Sequence, residues 1–248
     1  MLEKFKYNKI MSTLTSLSVF FPAYNEENNI SDTVDKALKV LPQIAKKYEI
    51  IIVNDGSKDK TGEIADKLSR QHKEVRVIHH EKNRGYGGAL KTGMYGASYE
   101  VIAFTDSDGQ FDFSQIKKFI PYLKDFDMVI GYRKKRAEGL RRDINAKAWG
   151  ILMKIVFGIK ARDIDCAFKV FYRSVLDKIP RLESNGALIS AELLMKAHVN
   201  HIKIKEIPVD HFPRKAGSPT GANLNVIIKA FKELLQMRQK INSKGKFL

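Results

Sequence analysis

Short apolar runs alternate with helix-spaced segments from Leu14 to Gly131, and that alternation constrains the fold more than any other feature of the chain. Leu14 to Phe21 reads as a strand, after which Ile30, Val34, Ala37, Leu38 and Leu41 recur at helical spacing. Ile50 to Val53 is a continuous apolar run, the pattern of a strand covered on both faces. Further helix faces are expected at Ile64, Ala65 and Leu68, at Ala89, Leu90, Met94 and Ala97, and at Ile116, Phe119, Ile120 and Leu123. Strands are expected between and after them at Val75 to Ile78, Val101 to Thr105 and Met128 to Gly131. Such alternation predicts an α/β fold, a mostly parallel central sheet with helices on both faces, because each parallel strand is reached by a crossover.

Beyond Gly131 the pattern is less regular. Phe168 to Tyr172 and Ile202 to Ile207 read as strands, with a helix near Ser190 to His198 between them. Asn223 to Lys240 reads as an amphipathic helix, with Val226, Ile227, Ala230, Phe231, Leu234 and Leu235 on one side and basic residues on the other. The uncharged stretch from Met11 to Asn25 is interrupted by Ser, Thr and Pro22 and is shorter than the roughly twenty apolar residues that span a bilayer. The first ten residues carry charges but no apolar core, a poor signal peptide. The expectation is a cytoplasmic protein that touches a membrane without crossing it.

In an open parallel sheet, ligands bind beyond the carboxyl ends of the strands, so the residues that follow each strand hold the candidates. Pro22-Ala23-Tyr24-Asn25-Glu26 follows the first, Asn54-Asp55-Gly56-Ser57 the second, and Asp106-Ser107-Asp108-Gly109-Gln110 the fourth. Turns favour these residue types anyway, but three such clusters gathered on one sheet edge point to a site. Asp106 and Asp108 are two apart, so in an extended segment they face the same way and can share one hard divalent cation, Mg2+ or Mn2+, with Gln110 as a third oxygen ligand. Asn83-Arg84-Gly85-Tyr86-Gly87-Gly88 reads either as a tight strand-to-helix turn or as a place where amides and Arg84 approach a phosphate. His79 and His80, as strand neighbours, point to opposite faces and make a poor metal pair. Cys166 is the single cysteine, which excludes an intramolecular disulfide, and it reads as a packing residue.

Charge narrows the partners. Lys and Arg number 44 against 28 Asp and Glu, a formal charge of +16 that favours anionic ligands or an acidic membrane face. Ten of the basic residues fall between Arg133 and Arg162, around the apolar stretch Ala148 to Met153. Nothing spells a helix-turn-helix, a zinc finger or an RNA-recognition motif, so nucleic acid is not the expected partner.

The motifs FPAYNEENNI, IIVNDGSKDKT, NRGYGGALKTG, FTDSDGQFD, GYRKKR, DIDCAFKVF and EIPVDHFPRKAGSPTG resemble, in order and spacing, those of the inverting family-2 glycosyltransferases with a GT-A fold. Within that family they look most like the polyprenol-phosphate sugar synthases, the group of dolichyl-phosphate mannose synthase. The resemblance implies a GT-A catalytic domain over residues 14–222, flanked by a basic segment, 1–13, and an amphipathic basic helix and tail, 223–248. It implies that Pro22, Tyr24, Glu26, Val53 and Asp55 hold the base and ribose of a nucleotide-sugar, with Arg84 and Ser107 counted among the donor-binding residues. It also implies that Asp106, Asp108 and Gln110 form a divalent metal site, that Arg133 and Arg214 contact phosphates, and that Asp163 opens the acceptor segment. Ala167 and Asp165 depart from the family's usual residues there.

The reaction so implied moves a sugar from a nucleoside diphosphate, GDP-mannose or UDP-glucose in type, to a polyprenyl or dolichyl phosphate at the cytoplasmic face of a membrane. A membrane-anchoring partner or an oligomer would be compatible with it. A phosphate monoester acceptor has a second pKa of about 6 and is mostly ionised at neutral pH, so it needs no strong base. The alternative is a family-2 transferase acting on a saccharide or other hydroxyl. That reaction needs a general base, for which Asp163 or Asp165 is the candidate.

Overall fold

The computed structural model describes residues 13–134 and 161–214. Three expectations fall outside them: the basic N-terminal segment, the apolar stretch of the Arg133–Arg162 block, and the C-terminal helix.

The strands are β1 (Leu14–Ala23), β2 (Ala45–Asn54), β3 (Val75–His79), β4 (Val101–Phe104), β5 (Met128–Arg133), β6 (Lys169–Tyr172) and β7 (Ile204–Val209). The helices are α1 (Ile30–Val40), α2 (Thr61–Gln71), α3 (Tyr86–Gly96), α4 (Ser174–Lys178) and α5 (Ile189–Val199). The expected helix around Ile116 to Leu123 is instead two 3-10 segments, Phe113–Lys118 and Ile120–Tyr122, the second with Pro121 in its first turn. Pro121 has no amide hydrogen to continue a helix from the preceding segment. The apolar face survives the change, for Ile116, Phe119, Ile120 and Leu123 are all buried.

The seven strands form one sheet in the order β3-β2-β1-β4-β6-β5-β7. Neighbours are parallel except where β6 runs antiparallel to both β4 and β5. The chain leaves β1 toward β2 and β3, then returns to place β4 on the other side of β1, which makes the carboxyl ends of β1 and β4 the switch point.

Side chains of β1 and β2 alternate between two cores. Val19, Phe21, Ile50 and Ile52 pack with Ile30, Val34 and Ala37 of α1 and Ala65 and Leu68 of α2. Phe20, Ile51 and Val53 pack on the opposite face with Ala89, Leu90 and Met94 of α3 and Leu193 and Leu194 of α5. Burial on both faces is why these strands are unbroken apolar runs. Gly93 lets α3 lie close to the sheet: a Cβ there would stand 2.2 Å from the Phe20 ring. Among the described residues no helix is long and apolar enough to cross a membrane.

Candidate active site

The loops after β1 and β4 meet at the switch point. Ser107 Oγ donates to the Pro22 carbonyl at 2.7 Å and is buried, so it ties the two strand ends together. Glu26, at the start of the turn into α1, is buried and accepts from Asn29 Nδ2 at 2.7 Å. Burial pushes its carboxyl up, against the opposing pull of Asn29 and Arg214. Tyr24 is half-buried at the same edge, whereas the Val53 side chain is wholly in the core, so only its backbone is at the strand end.

Asp106 and Asp108 come off β4 into this cleft. Burial first, then the charge of Asp108, push the Asp106 carboxyl up to about 7, against the Tyr86 hydrogen bond and the charges of Arg133 and Lys169. The Tyr86 hydroxyl donates to Asp106 Oδ1 at 2.9 Å. Burial and the same two aspartates hold that phenol well above its ordinary range. Two carboxylates that disfavour each other's charge are a fitting seat for a hard cation, because only added positive charge relieves them.

Arg214 supplies part of that charge in this structure. Its Nη2 donates to Glu26 Oε1, and its Nη1 stands 3.4 Å from Asp108 Oδ2. The guanidinium thus bridges the β1 and β4 loops. It is carried by the segment after β7, which two glutamines hold. Phe212 N donates to the Gln110 carbonyl at 2.9 Å and Gln110 Nε2 to the Phe212 carbonyl at 3.2 Å. Asp210 N donates to Gln115 Oε1 at 2.8 Å, and Gln115 Nε2 returns to the Asp210 carbonyl at 3.1 Å. The Gln110 amide nitrogen is therefore engaged in fastening the Arg214 arm.

Arg133 and Asp163 form a bidentate pair. Arg133 Nε donates to Asp163 Oδ2 at 2.6 Å, Nη2 to Oδ1 at 2.8 Å, and the Arg133 amide to Oδ2 at 3.2 Å. Their side chains are 10% and 8% exposed. Asp163 strengthens the proton's hold on Arg133, whose pKa is raised although burial opposes it. Asp165, on the same loop, is exposed.

Asp55 follows β2, and its amide donates to the Ala23 carbonyl at 2.9 Å. Its Oδ1 accepts from the Arg84 amide at 2.8 Å and faces His80 Nδ1 at 2.6 Å. The Arg84 side chain itself is exposed. The glycine-rich turn around it is used for close packing. Gly87 N donates to the Asn185 carbonyl at 2.9 Å, and Gly85 has φ +83° with that carbonyl oxygen 2.5 Å from where a Cβ would lie. His79 binds Asn54 and Asp66 on one side of the strand, while His80 turns to Asp55 on the other. Among the described residues no three His, Cys, Asp or Glu cluster as a metal site.

Three residues of this neighbourhood were not expected from sequence: Tyr86, His80 and Lys169. Lys169 is wholly buried in β6, donates to the carbonyls of Ile164 and Cys166, and lies 5.7 Å over the Phe104 ring. Burial lowers its pKa, against the nearby charges of Asp165, Asp163 and Asp106. The available signal was a lysine inside the apolar run AFKVFY. Cys166 is buried and pushed up to about 11, an unreactive packing thiol.

The sequence profile of the glycosyl transferase family 2 matches residues 18–180. Glycosyltransferase AglD of Haloferax volcanii is 28% identical over 207 residues, covering 80% of this chain and 33% of that protein. The dolichyl-phosphate beta-glucosyltransferase of Homo sapiens is 32% identical over 220 residues, covering 80% of this chain and 68% of that protein. The chain thus spans a third of one relative and about two thirds of the other. The crystal structure of glucosyl-3-phosphoglycerate synthase from Mycobacterium tuberculosis with phosphoglyceric acid superimposes with a TM-score of 0.70 at 18% identity, covering 90% of this chain and 79% of that one. The same synthase is also known in complex with Mn2+, UDP-glucose and phosphoglyceric acid. The likeness establishes a shared fold, the GT-A architecture expected from the motifs.

Proposed function

The chain belongs to glycosyl transferase family 2, and on that premise we propose that it transfers a hexose from a nucleoside diphosphate sugar to a polyprenyl phosphate. The observation that carries this reading is the pair Asp106 and Asp108 at the switch point, with Asp106 pushed up to about 7 beside Asp108. The similarity to the human dolichyl-phosphate beta-glucosyltransferase supports both the acceptor class and glucose as the sugar.

A divalent cation held by Asp106 and Asp108, with Gln110 as a third oxygen ligand, would supply positive charge for the leaving diphosphate. The chain's own residues do the rest. Arg214, already between Glu26 and Asp108, lies where it can move onto a phosphate, and its guanidinium suits bidentate phosphate contact. Charge that develops on the leaving group is then met by a preorganised donor, a contribution of about 3 kcal/mol for one such group. Pro22, Tyr24, Glu26, Val53 and Asp55 hold the base and ribose in this reading, with Arg84 and Ser107 beside them. The acceptor phosphate attacks the anomeric carbon from the opposite face, and the configuration inverts.

Asp163 is bound through both oxygens by Arg133, which supports a positioning role for it and an acceptor that arrives ionised. The hydroxyl-acceptor alternative is left with Asp165, which is exposed on the same loop. Peripheral attachment to the cytoplasmic face of a membrane, through the basic segments, belongs to the same proposal. Liposome cosedimentation at low and high salt checks it, and absence of binding in both removes it.

The deciding experiment is a transfer assay with labelled UDP-glucose and GDP-mannose, a polyprenyl phosphate and Mn2+. Label is expected in the organic phase, and it should disappear with EDTA and in Asp108→Ala. Label that passes only to saccharide acceptors overturns the lipid-phosphate reading.

A further inference from the structure

A buried chain of hydrogen bonds runs from Asp55 through His80 to Thr92. His80 follows β3 and its side chain is 2% exposed. Its backbone amide donates to the Asn54 carbonyl at 2.9 Å, which fixes it beside the end of β2. Nδ1 lies 2.6 Å from Asp55 Oδ1, and Nε2 lies 2.9 Å from Thr92 Oγ1 on α3. A carboxylate only accepts, so Nδ1 carries the proton and donates, while the Thr92 hydroxyl can pair with Nε2 in either sense. Asp55 Oδ1 also accepts from the Arg84 amide. The same oxygen therefore takes both bonds, and the described residues send none to Oδ2.

We propose that His80 is a positioning residue for the nucleotide end of the site: with Thr92 behind it, it locks the Asp55 carboxylate so that Oδ2 accepts a ring N–H of the donor's base. This inference rests on the nucleotide-sugar reading above. The chemistry it selects is a base with an N–H between or beside carbonyls, as in uracil and guanine. Adenine and cytosine present a ring nitrogen that only accepts, and a locked carboxylate repels it. The carboxylate cannot turn without breaking the two bonds that its Oδ1 accepts, and the bond from His80 Nε2 to Thr92 holds the imidazole against following it. Such preorganisation lowers the ordering cost of binding without touching the reacting atoms.

Two near-isosteric variants separate this role from packing. The side-chain nitrogen of Asn occupies roughly the place of imidazole Nδ1, whereas the amide of Gln reaches toward Nε2. His80→Asn therefore keeps a donor for Asp55, and His80→Gln keeps a partner for Thr92 but not for Asp55. The measurement is the Kd of UDP and of GDP with Mn2+ by calorimetry, then donor KM, acceptor KM and kcat at saturating donor. His80→Gln is expected to weaken binding of the preferred nucleotide about tenfold, the loss of one hydrogen bond to a charged group. His80→Asn should stay within about threefold of the native protein, Thr92→Val should fall between, and kcat and acceptor KM should hold within about twofold in all three. Equal loss in the Asn and Gln variants, or a loss in kcat instead of donor KM, overturns the positioning role while leaving the transferase reading in place. If the native protein binds neither nucleotide with Mn2+ present, the nucleotide-sugar reading fails and this inference falls with it. Thermal midpoints of each variant identify any that has lost its fold, and Thr92→Val, on a neighbouring helix, then carries the test.

Discussion

Asp163→Asn tests whether the carboxylate paired with Arg133 holds that arginine or removes a proton. The Arg133 and Asp163 side chains are 10% and 8% exposed, and the two side-chain bonds between them measure 2.6 and 2.8 Å. Asn keeps one acceptor oxygen but presents an NH2 to a guanidinium that can only donate. One bond is replaced by a donor-to-donor clash, and the charge of Arg133 loses its compensation. Breaking a buried pair from one side costs about 3–5 kcal/mol. The residual exposure puts this case at the lower end, about 3 kcal/mol, since water relieves part of the stranded charge. With a urea m-value of about 2–3 kcal/mol/M, the midpoint should fall by about 1 M. A second variant, Arg133→Gln with Asp163→Asn, should recover part of that loss because neither charge is left stranded. The rate should drop as Arg133 loosens, but the shape of its dependence on pH should be unchanged, since Asp163 takes no proton in the reaction. An Asp163→Asn protein with a native urea midpoint that has lost the rise in rate on the acid side would refute this. Asp163 would then be a general base, and the acceptor a hydroxyl.

Three further outcomes follow from particular contacts. Glu49 accepts from Ser18, Ser98 and Arg76; burial alone would raise its carboxyl, but these hydrogen bonds more than offset it and hold it low. Its contribution is therefore complete above the unfolded carboxylate value of about 4.3 and is lost as pH falls through the lower folded value, so urea midpoints measured from pH 5 down to 3 should drop less steeply in Glu49→Gln. Gly93→Ala should destabilise the fold by about 1–3 kcal/mol in urea titration, because the new methyl would meet the Phe20 ring. Arg214→Ala should reduce kcat about a hundredfold with little change in thermal midpoint, since the arm that carries it is fastened through the Gln110 and Gln115 bonds; a lower midpoint with native kcat would make Arg214 structural.

Strands β1, β2 and β4 could be read from the chain because their carboxyl-terminal parts are buried on both faces, and burial on both faces leaves an apolar run such as Ile50 to Val53. The site loops could be read for a related reason: the carboxyl ends of β1, β2 and β4 are where polar residues interrupt those runs. The helix expected around Ile116 kept its buried face and lost its hydrogen-bond pattern, because apolar spacing reports burial while Pro121 decides the backbone. Period-two alternation separates His80 from His79 and makes the two a poor metal pair. What alternation could not say is which carboxylate waited on its side of the strand.

Local periodicity, then, carried the layers, the edge where the chemistry gathers and the acidic pair Asp106 and Asp108. Partnership came from the tertiary structure. Arg133 meets Asp163 across 30 positions, His80 meets Asp55 across 25, and Arg214 meets Glu26 across 188. The antiparallel course of β6, which pairs Lys169 with Phe104 and brings its charge to bear on Asp106, belongs to the same class. Each of these depends on where a crossover returns the chain, and neighbouring residues exert no force that specifies it. A turn's preference for Asp is the same whether the carboxylate ends up facing a cation, an arginine or water, and only the assembled sheet distinguishes them.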